Sequence, residues 1–306
     1  MKLGYYSYLA HIEHSVGDAH PEHPMRIIAI NRQLDLSGLV SDVYHGGSNQ
    51  VSQTDLLRAH SQGYIEQLHT MSPANGMIFA DKDTPMSVGS LDAAYQAASC
   101  VVEALDDLMS GKVDRAFCAV RPPGHHAQKN KTMGFCFFNN VAIAAKKARE
   151  QFGLERIAII DFDVHQGNGT IDILANDPSF LICSSFQHPS YPFTHWRNEF
   201  NNVINTPLDI DSDGLVMRRA VEAQWLKQLQ DFKPQLTIVS AGFDAHKKDP
   251  MAELNWTEED YAWLGSFLSD INKSTQDNKI LAVLEGGYNL NALAKSAVSF
   301  IAAIKD

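Results

Sequence analysis

Five short apolar segments alternate with stretches of helical length in this 306-residue chain. The apolar segments are rich in β-branched residues, which is typical of strands buried on both faces of a sheet. They are Arg115–Val120, Arg156–Ile160, Phe180–Cys183, Leu236–Val239 and Lys279–Leu284. The helical stretches are Leu91–Met109, Val141–Phe152, Leu215–Phe232, Thr257–Ser274 and Leu290–Ile304. The alternation predicts a three-layer α/β fold with a central, mostly parallel sheet, and a less regular structure over the first ~70 residues.

Composition narrows the kind of protein further. No linker or repeat divides residues 1–306, which predicts a single domain. A formal net charge of −11 argues against direct nucleic-acid binding. The four cysteines are isolated from one another, which argues against a thiolate zinc site and favours a reducing compartment. No apolar run approaches the ~18 residues that a membrane span requires. We therefore expect a cytoplasmic protein; the sequence leaves its oligomeric state open.

Polar clusters follow four of the five predicted strands. Ligands of open parallel sheets bind beyond the carboxyl ends of the strands, where the loops converge. The clusters are Arg121–His126, Asp161–Asn168, Ser240–Asp244 and Glu285–Tyr288. The sequence therefore predicts one site built from four strand ends.

Asp163 and His165 alternate around Val164, so both side chains point to one side of an extended backbone. Asp244 ends another strand and can complete a set of two carboxylates and one imidazole. Such a set suits zinc or ferrous iron better than magnesium, and it leaves positions open for water and substrate. The simpler alternative is that Asp161 and Asp163 only cap the following turn.

Two adjacent histidines, His125 and His126, follow a segment stiffened by two prolines. Beside a metal, they can supply a general base and an electrostatic partner for hydrolysis. Each needs an acceptor on its far ring nitrogen, and Asp161 and Asn168 are available. Tyr288 follows two glycines and can donate to a developing oxyanion, although a tyrosine in that sequence context alone is more often a core residue.

These segments resemble the signature blocks of the histone deacetylase family. The similarity runs in the family's order from His20–Pro24 to the tyrosine motif. The asparagine at position 168 resembles the pattern of class II and bacterial deacetylase-like proteins. The matching blocks are RPPGHHA (121–127), GFCFFNN (134–140), DFDVHQGNGT (161–170), AGFDAH (241–246) and EGGYN (285–289). The resemblance implies an arginase/deacetylase-like fold.

The resemblance also implies roles for the candidate residues. Asp163, His165 and Asp244 would be the metal ligands. His126 would be the general base, His125 its electrostatic partner, and Tyr288 the residue that polarises the carbonyl. We expect His126 to pair with Asn168, a neutral partner, and His125 to pair with Asp161, whose charge favours an imidazolium.

Further residues are assigned by motif position. Gly134, Phe135 and Tyr191 would line an acyl-lysine channel, with Met251 at the position of its gatekeeper. A structural potassium ion would be held by Asp161, Asp163, His165, Ser184 and Ser185.

The implied function is removal of acetyl or other acyl groups from lysine by a zinc-dependent or ferrous amidohydrolase. An acetylpolyamine amidohydrolase shares the catalytic residues but recognises an internal cation; Met251 favours lysine-like substrates, whereas Glu253 and the net charge leave the polyamine open. A binuclear manganese ureohydrolase needs a paired-carboxylate motif where this chain has Asp244 followed by Ala245 and His246. An inactive acyl-lysine-binding module is disfavoured by the intact candidate residues.

Overall fold

The computed structural model describes residues 1–39, 43–45, 50–273 and 279–305. Its strands are β1 (Leu3–Tyr6), β2 (Val43–His45), β3 (Met77–Asp81), β4 (Thr84–Ser87), β5 (Arg115–Cys118), β6 (Ile157–Asp161), β7 (Phe180–Gln187), β8 (Val203–Leu208), β9 (Leu236–Ala241) and β10 (Ile280–Leu284). Strands β3 and β4 form an antiparallel hairpin. Within the described ranges, the others form one eight-stranded sheet in the order β2-β1-β5-β10-β9-β6-β7-β8. Every strand pair in this sheet is parallel.

Helices cover both faces of the sheet. They are α1 (Met25–Ser37), α2 (Gln53–Ala59), α3 (Gln62–Met71), α4 (Ser90–Met109), α5 (Asn140–Phe152), α6 (Asn168–Leu174), α7 (Gly214–Phe232), α8 (Glu258–Lys273) and α9 (Leu290–Lys305). One core contains side chains of α2 to α6, and the other contains side chains of α1, α7, α8 and α9. Strand β10 shows why its sequence is apolar throughout: Leu281 and Val283 face the first core, whereas Ile280, Ala282 and Leu284 face the second. The predicted three-layer α/β fold is confirmed.

The predicted strands and helices differ from the observed ones mainly at their ends. Strand β7 extends beyond the predicted Cys183 to Gln187, because its last residues pair with β8. Strand β8 itself was not predicted. It contains Pro207, which lacks an N–H group for a sheet ladder and is tolerated at this edge of the sheet. Helix α8 ends at Lys273, and the predicted terminal residue Ser274 lies outside the described residues.

The expectation of a less regular amino-terminal region is wrong for much of its length. Strand β1 and helices α1, α2 and α3 all lie there. Helix α1 begins after Pro24 without a side-chain cap, so it lacks one sequence signal of a helix start. Ser52 and Ser61 do cap α2 and α3, by accepting hydrogen bonds from Asp55 N and Tyr64 N. That serine signal was available in the sequence.

Four neighbouring strands in the middle of the sheet, β5, β10, β9 and β6, deliver the polar clusters. Because all four run in the same direction, their carboxyl ends meet at one edge. The fold thus brings the four predicted clusters together. A single domain over residues 1–306 stays a prediction.

Candidate active site

The predicted metal ligands form one buried cluster. Asp163 and His165 follow β6, and Asp244 follows β9. One ligand atom of each residue lies within 4.8 Å of the other two. His165 Nδ1 is 3.1 Å from Asp163 Oδ1 and 3.3 Å from Asp244 Oδ2. The fold therefore assembles the two carboxylates and one imidazole that the sequence indicated.

Two glycines let the backbone approach this cluster closely. The Gly286 amide donates to Asp163 Oδ2 over 2.8 Å. A Cβ atom at Gly286 would overlap Asp244 Oδ2, and one at Gly242 would overlap Asp163 Oδ2. Any side chain at these positions would displace a carboxylate of the cluster.

The cluster holds more negative charge than the protein itself satisfies. Asp244 Oδ1 accepts a hydrogen bond from Val164 N over 2.9 Å. Asp244 Oδ2 is buried and, among the described residues, forms no hydrogen bond of acceptable geometry. Burial and the neighbouring Asp163 raise the pKa of Asp244. Burial alone would lower the pKa of His165, but Asp163 and Asp244 raise it to about 10. An unsatisfied buried oxygen beside an imidazole and a second carboxylate fits a divalent cation.

The two histidines have different partners, as predicted. His126 Nδ1 donates to Asn168 Oδ1 over 2.7 Å, and His125 Nδ1 lies 3.0 Å from Asp161 Oδ2. Their ring centroids are 4.0 Å apart. Because Nδ1 of the neutral His126 ring carries the hydrogen that bonds to Asn168 Oδ1, its Nε2 is left as an acceptor.

Their electrostatic environments differ in the same sense. Burial would lower the pKa of His125, but Asp163, Asp161 and Glu285 raise it to about 10. For His126, burial and the neighbouring His125 and His165 hold the pKa well below 6.5. His126 is therefore neutral and His125 protonated at neutral pH.

Both histidines open onto a cavity of about 270 Å³. The rings of Phe135 and Tyr288 stand perpendicular, with centroids 6.2 Å apart, and the Tyr191 ring centroid is 5.1 Å from that of His126. The cavity wall contains every predicted channel residue together with predicted catalytic and metal-site residues. Its lining residues are Asp83, Pro123, His125, His126, Gly134, Phe135, His165, Ser190, Tyr191, Met251, Gly286 and Tyr288.

The β3–β4 hairpin supports one wall of this cavity. Asp83 Oδ1 accepts from Gly134 N over 3.0 Å, and Thr84 Oγ1 accepts from Phe135 N over 3.2 Å. These bonds hold Phe135 at a φ of 69°, which is uncommon for a residue with a side chain. The sequence analysis missed Asp83, because it lies outside the strand ends of the main sheet.

The predicted potassium-site residues lie on the neighbouring strands β6 and β7 and in the segment that follows β6. Asp161 of β6 pairs with Ser184 of β7 in the sheet register, and the Asp163 amide donates to Asp161 Oδ1 over 3.1 Å. The hydroxyl oxygens of Ser184 and Ser185 are buried and have no hydrogen-bond partner among the described residues. The orphaned, buried hydroxyl of Ser184, a residue that pairs with Asp161 in the sheet, fits a cation with oxygen ligands.

Three further side chains hold the loop that carries Tyr288. Arg26 donates to Gly287 O over 2.7 Å and to Glu285 O over 2.5 Å, and its guanidinium lies 5.0 Å from the Tyr288 ring centroid. Glu285 accepts from Gly124 N and His125 N, over 2.7 and 3.1 Å. Asp249 accepts from Tyr288 N over 2.6 Å. None of the three was predicted as a site residue, although Glu285 lies within the quoted EGGYN block and Arg26 lies two residues after the quoted His20–Pro24 block.

The protein is thus an α/β protein with a buried cluster of two aspartates and one histidine beside a cavity of about 270 Å³. Residues 20–304 match the histone deacetylase domain family. An uncharacterized protein of Synechocystis sp. is 39% identical over 94% of this chain and 94% of its own length. The histone deacetylase-like amidohydrolase of Pseudomonas aeruginosa is 33% identical over 88% of this chain and 73% of its own.

A solved structure, the HDA15 HD domain, superimposes with a TM-score of 0.92. It is 30% identical and covers 98% of this chain and 88% of its own. This chain belongs to the histone deacetylase domain family, so the resemblance drawn from the sequence is confirmed. Family membership and the named relatives support a hydrolase of the deacetylase type.

Across the described residues, no helix combines the length and hydropathy needed to cross a bilayer. The cytoplasmic location stays a prediction.

Proposed function

We propose that the protein hydrolyses the amide bond of acyl-lysine side chains in peptides or proteins, and that it requires a divalent metal. The observation that carries the proposal is the asymmetric histidine pair. One imidazole bonded to a neutral amide and one paired with a carboxylate lie beside the buried carboxylate cluster, at the wall of a single cavity. This arrangement supplies a base and a fixed positive charge for amide hydrolysis.

Asp163, His165 and Asp244 would hold the metal, with zinc or ferrous iron best matched to their donor atoms. When bound, such an ion polarises a carbonyl and lowers the pKa of water. The raised pKa values of His165 and Asp244 mean that protons compete for the same atoms. Metal binding should therefore weaken as the pH falls.

The chain's own residues supply the remaining steps. His126 Nε2 accepts a proton from the attacking water, while Asn168 fixes the ring. The water oxygen bonds to the carbonyl carbon, and the Tyr288 phenol donates a hydrogen bond to the developing oxyanion. Burial raises the pKa of Tyr288, so the phenol keeps its proton. As the C–N bond breaks, the proton on His126 passes to the leaving amine.

The cavity wall bears on the choice of substrate. Met251 lines it with an apolar side chain, which favours the alkyl stem of lysine. Asp83 also lines it, and a carboxylate there can pair with the internal ammonium of an acetylated polyamine. A small acetylated amine is therefore the second candidate substrate. We further propose a structural potassium ion held by Asp161, Asp163, His165, Ser184 and Ser185.

The decisive experiment compares acetyl-lysine peptides, longer acyl-lysines and acetylated polyamines as substrates of the zinc-loaded and iron-loaded protein. Tyr288→Phe should lower kcat by ~10²–10³ with little change in KM, because the phenol acts on charge that develops in the transition state. Tyr95→Phe, which removes a hydroxyl bonded to His69 on the protein surface, is the matched control. No turnover of any substrate with either metal would refute the proposal, and near-wild-type Tyr288→Phe would remove that residue from the mechanism.

A further inference from the structure

The carboxylate of Asp249 joins two loops whose residues Met251 and Tyr288 both line the cavity. Its Oδ2 accepts hydrogen bonds from Tyr288 N and Asn289 N, over 2.6 and 3.0 Å. Its Oδ1 accepts from Met251 N over 3.1 Å. Asp249 is only 7% exposed, so these bonds are shielded from water.

The Tyr288 loop needs such an anchor because of what surrounds it in the chain. Gly287 precedes Tyr288 with a φ of 115°, a conformation open mainly to glycine. Asn289 follows and caps α9 by accepting from Ala292 N over 3.0 Å. Tyr288 thus lies between a flexible residue and a fixed helix start, and its own amide and the next one both bond to Asp249.

Arg26 complements this anchor from the other side. It binds the carbonyl of Gly287 and lies over the Tyr288 ring, whereas Asp249 binds the amides of Tyr288 and Asn289. None of these Arg26 contacts involves Met251. Among these contacts, only those of Asp249 connect the Tyr288 loop to Met251.

We propose that Asp249 is a positioning residue that fixes Tyr288 and Met251 relative to each other in the cavity wall. The inference rests on the proposed role of Tyr288 as the oxyanion donor. It predicts that the effect of Asp249 on kcat depends on the phenol of Tyr288.

The first test measures amide hydrogen exchange of the metal-loaded protein, which does not depend on activity. In Asp249→Ala and Asp249→Asn, exchange at Tyr288 and Asn289 should accelerate by ~10-fold or more, because hydrogen bonds to a charged acceptor are lost. Asp213→Asn is the matched control, since Asp213 caps α7 through Val216 N over 3.0 Å. That variant should leave exchange at Tyr288 unchanged.

The second test is a double-mutant cycle on kcat. Asp249→Asn should lower kcat by ~10-fold or more in the wild-type background but by less than about 2-fold in Tyr288→Phe, because both changes remove the same interaction. A merely structural role would give equal losses in the two backgrounds and would overturn the inference. Unchanged exchange at Tyr288 and Asn289 would also overturn it. If the wild-type protein hydrolyses no substrate, the proposed function fails while the exchange result still decides whether Asp249 anchors the loop.

Discussion

Two buried ionic clusters lie at the same edge of the sheet, and they differ in how completely their charges are satisfied. In the first, Arg121 donates to both carboxylate oxygens of Glu22, over 2.8 and 2.7 Å, and Arg26 adds a third bond over 3.1 Å. In the second, formed by Asp163, His165 and Asp244, one buried Asp244 oxygen has no hydrogen bond among the described residues. The first cluster is complete in itself, and the second is not.

The sign of the charge explains the difference. Two guanidinium groups surround one carboxylate at Glu22, and Arg121 also donates to the carbonyl oxygens of His14 and Glu22. Arg121 and His14 hold the pKa of Glu22 well below its ordinary value despite its burial. The Asp163 and Asp244 carboxylates, by contrast, share one imidazole. A complete cluster stabilises the fold, whereas an incomplete one leaves room for a cation.

The largest expected effect comes from the incomplete cluster. Asp244→Asn should abolish metal binding and turnover, because it removes one of three proposed ligands. Folding stability of the metal-free protein should not fall, since the variant removes a buried charge that lacks compensation. Metal analysis, turnover and urea unfolding of the metal-free protein test the three points. A variant that keeps one tightly bound metal per chain would show that Asp244 is not a ligand; two metals per wild-type chain would contradict the single site.

The two histidines beside the incomplete cluster have different partners, a neutral amide for His126 and a carboxylate for His125. His126→Ala should lower kcat/KM by ~10²–10⁴, the usual contribution of a general base. His125→Ala should cost less and leave measurable activity, because its proposed role is electrostatic. Both variants must be compared at equal metal content. A less active His125→Ala would reverse the proposed roles, even though the two hydrogen-bond partners are as predicted.

A substitution in the complete cluster should lower the stability of the fold rather than change metal binding. Glu22→Gln leaves two buried guanidinium groups short of a countercharge, and we expect it to lower the free energy of unfolding by ~3–5 kcal/mol. Glu199→Gln, at an exposed pair 3.1 Å from His195, should change it by less than about 1 kcal/mol. Urea unfolding measures both. Metal content per folded Glu22→Gln molecule should equal that of wild type; its loss would mean that the two clusters are not separable.

The incomplete cluster was predictable from sequence, and the side chains that anchor the Tyr288 loop were not. Asp163, His165 and Asp244 directly follow buried apolar strands, and parallel strands bring such residues to one edge. Asp249 and Arg26 obey no such rule. Asp249 bonds to Tyr288 N across 39 residues, and Arg26 bonds to Gly287 O across 261. Their partners are backbone atoms, which carry no residue-specific signal.

The fold shows the same limit. Strand β10 was predicted almost to the residue because both of its faces are buried, so its run is apolar throughout. Strand β1 has only four residues, one of them Gly4, and β8 includes Pro207. Both depend on pairing with neighbouring strands rather than on a strong local pattern. Both strands were missed for this reason, whereas helices α2 and α3 carried serine caps that the sequence offered.

The smallest expected effect is stabilisation by potassium. It distinguishes a buried hydroxyl that binds an ion from one that merely lacks a hydrogen-bond partner. The Oγ atoms of Ser184 and Ser296 are both buried without a hydrogen-bond partner among the described residues, but Ser184 pairs with Asp161 in the sheet, whereas Ser296 lies on α9. If potassium binds at Ser184, replacing tetramethylammonium chloride by potassium chloride at equal ionic strength should stabilise the protein by ~1–2 kcal/mol, or a few degrees in Tm.

Ser184→Ala should reduce or remove this difference between the two salts, because the hydroxyl would be one of the ion's oxygen ligands. Ser296→Ala should keep it in full, whatever its effect on Tm itself. Thermal unfolding of the three proteins in both salts measures the comparison. Equal melting of the wild-type protein in potassium and tetramethylammonium would mean that the orphaned hydroxyls at β7 hold no ion and are, like that of Ser296, a packing compromise.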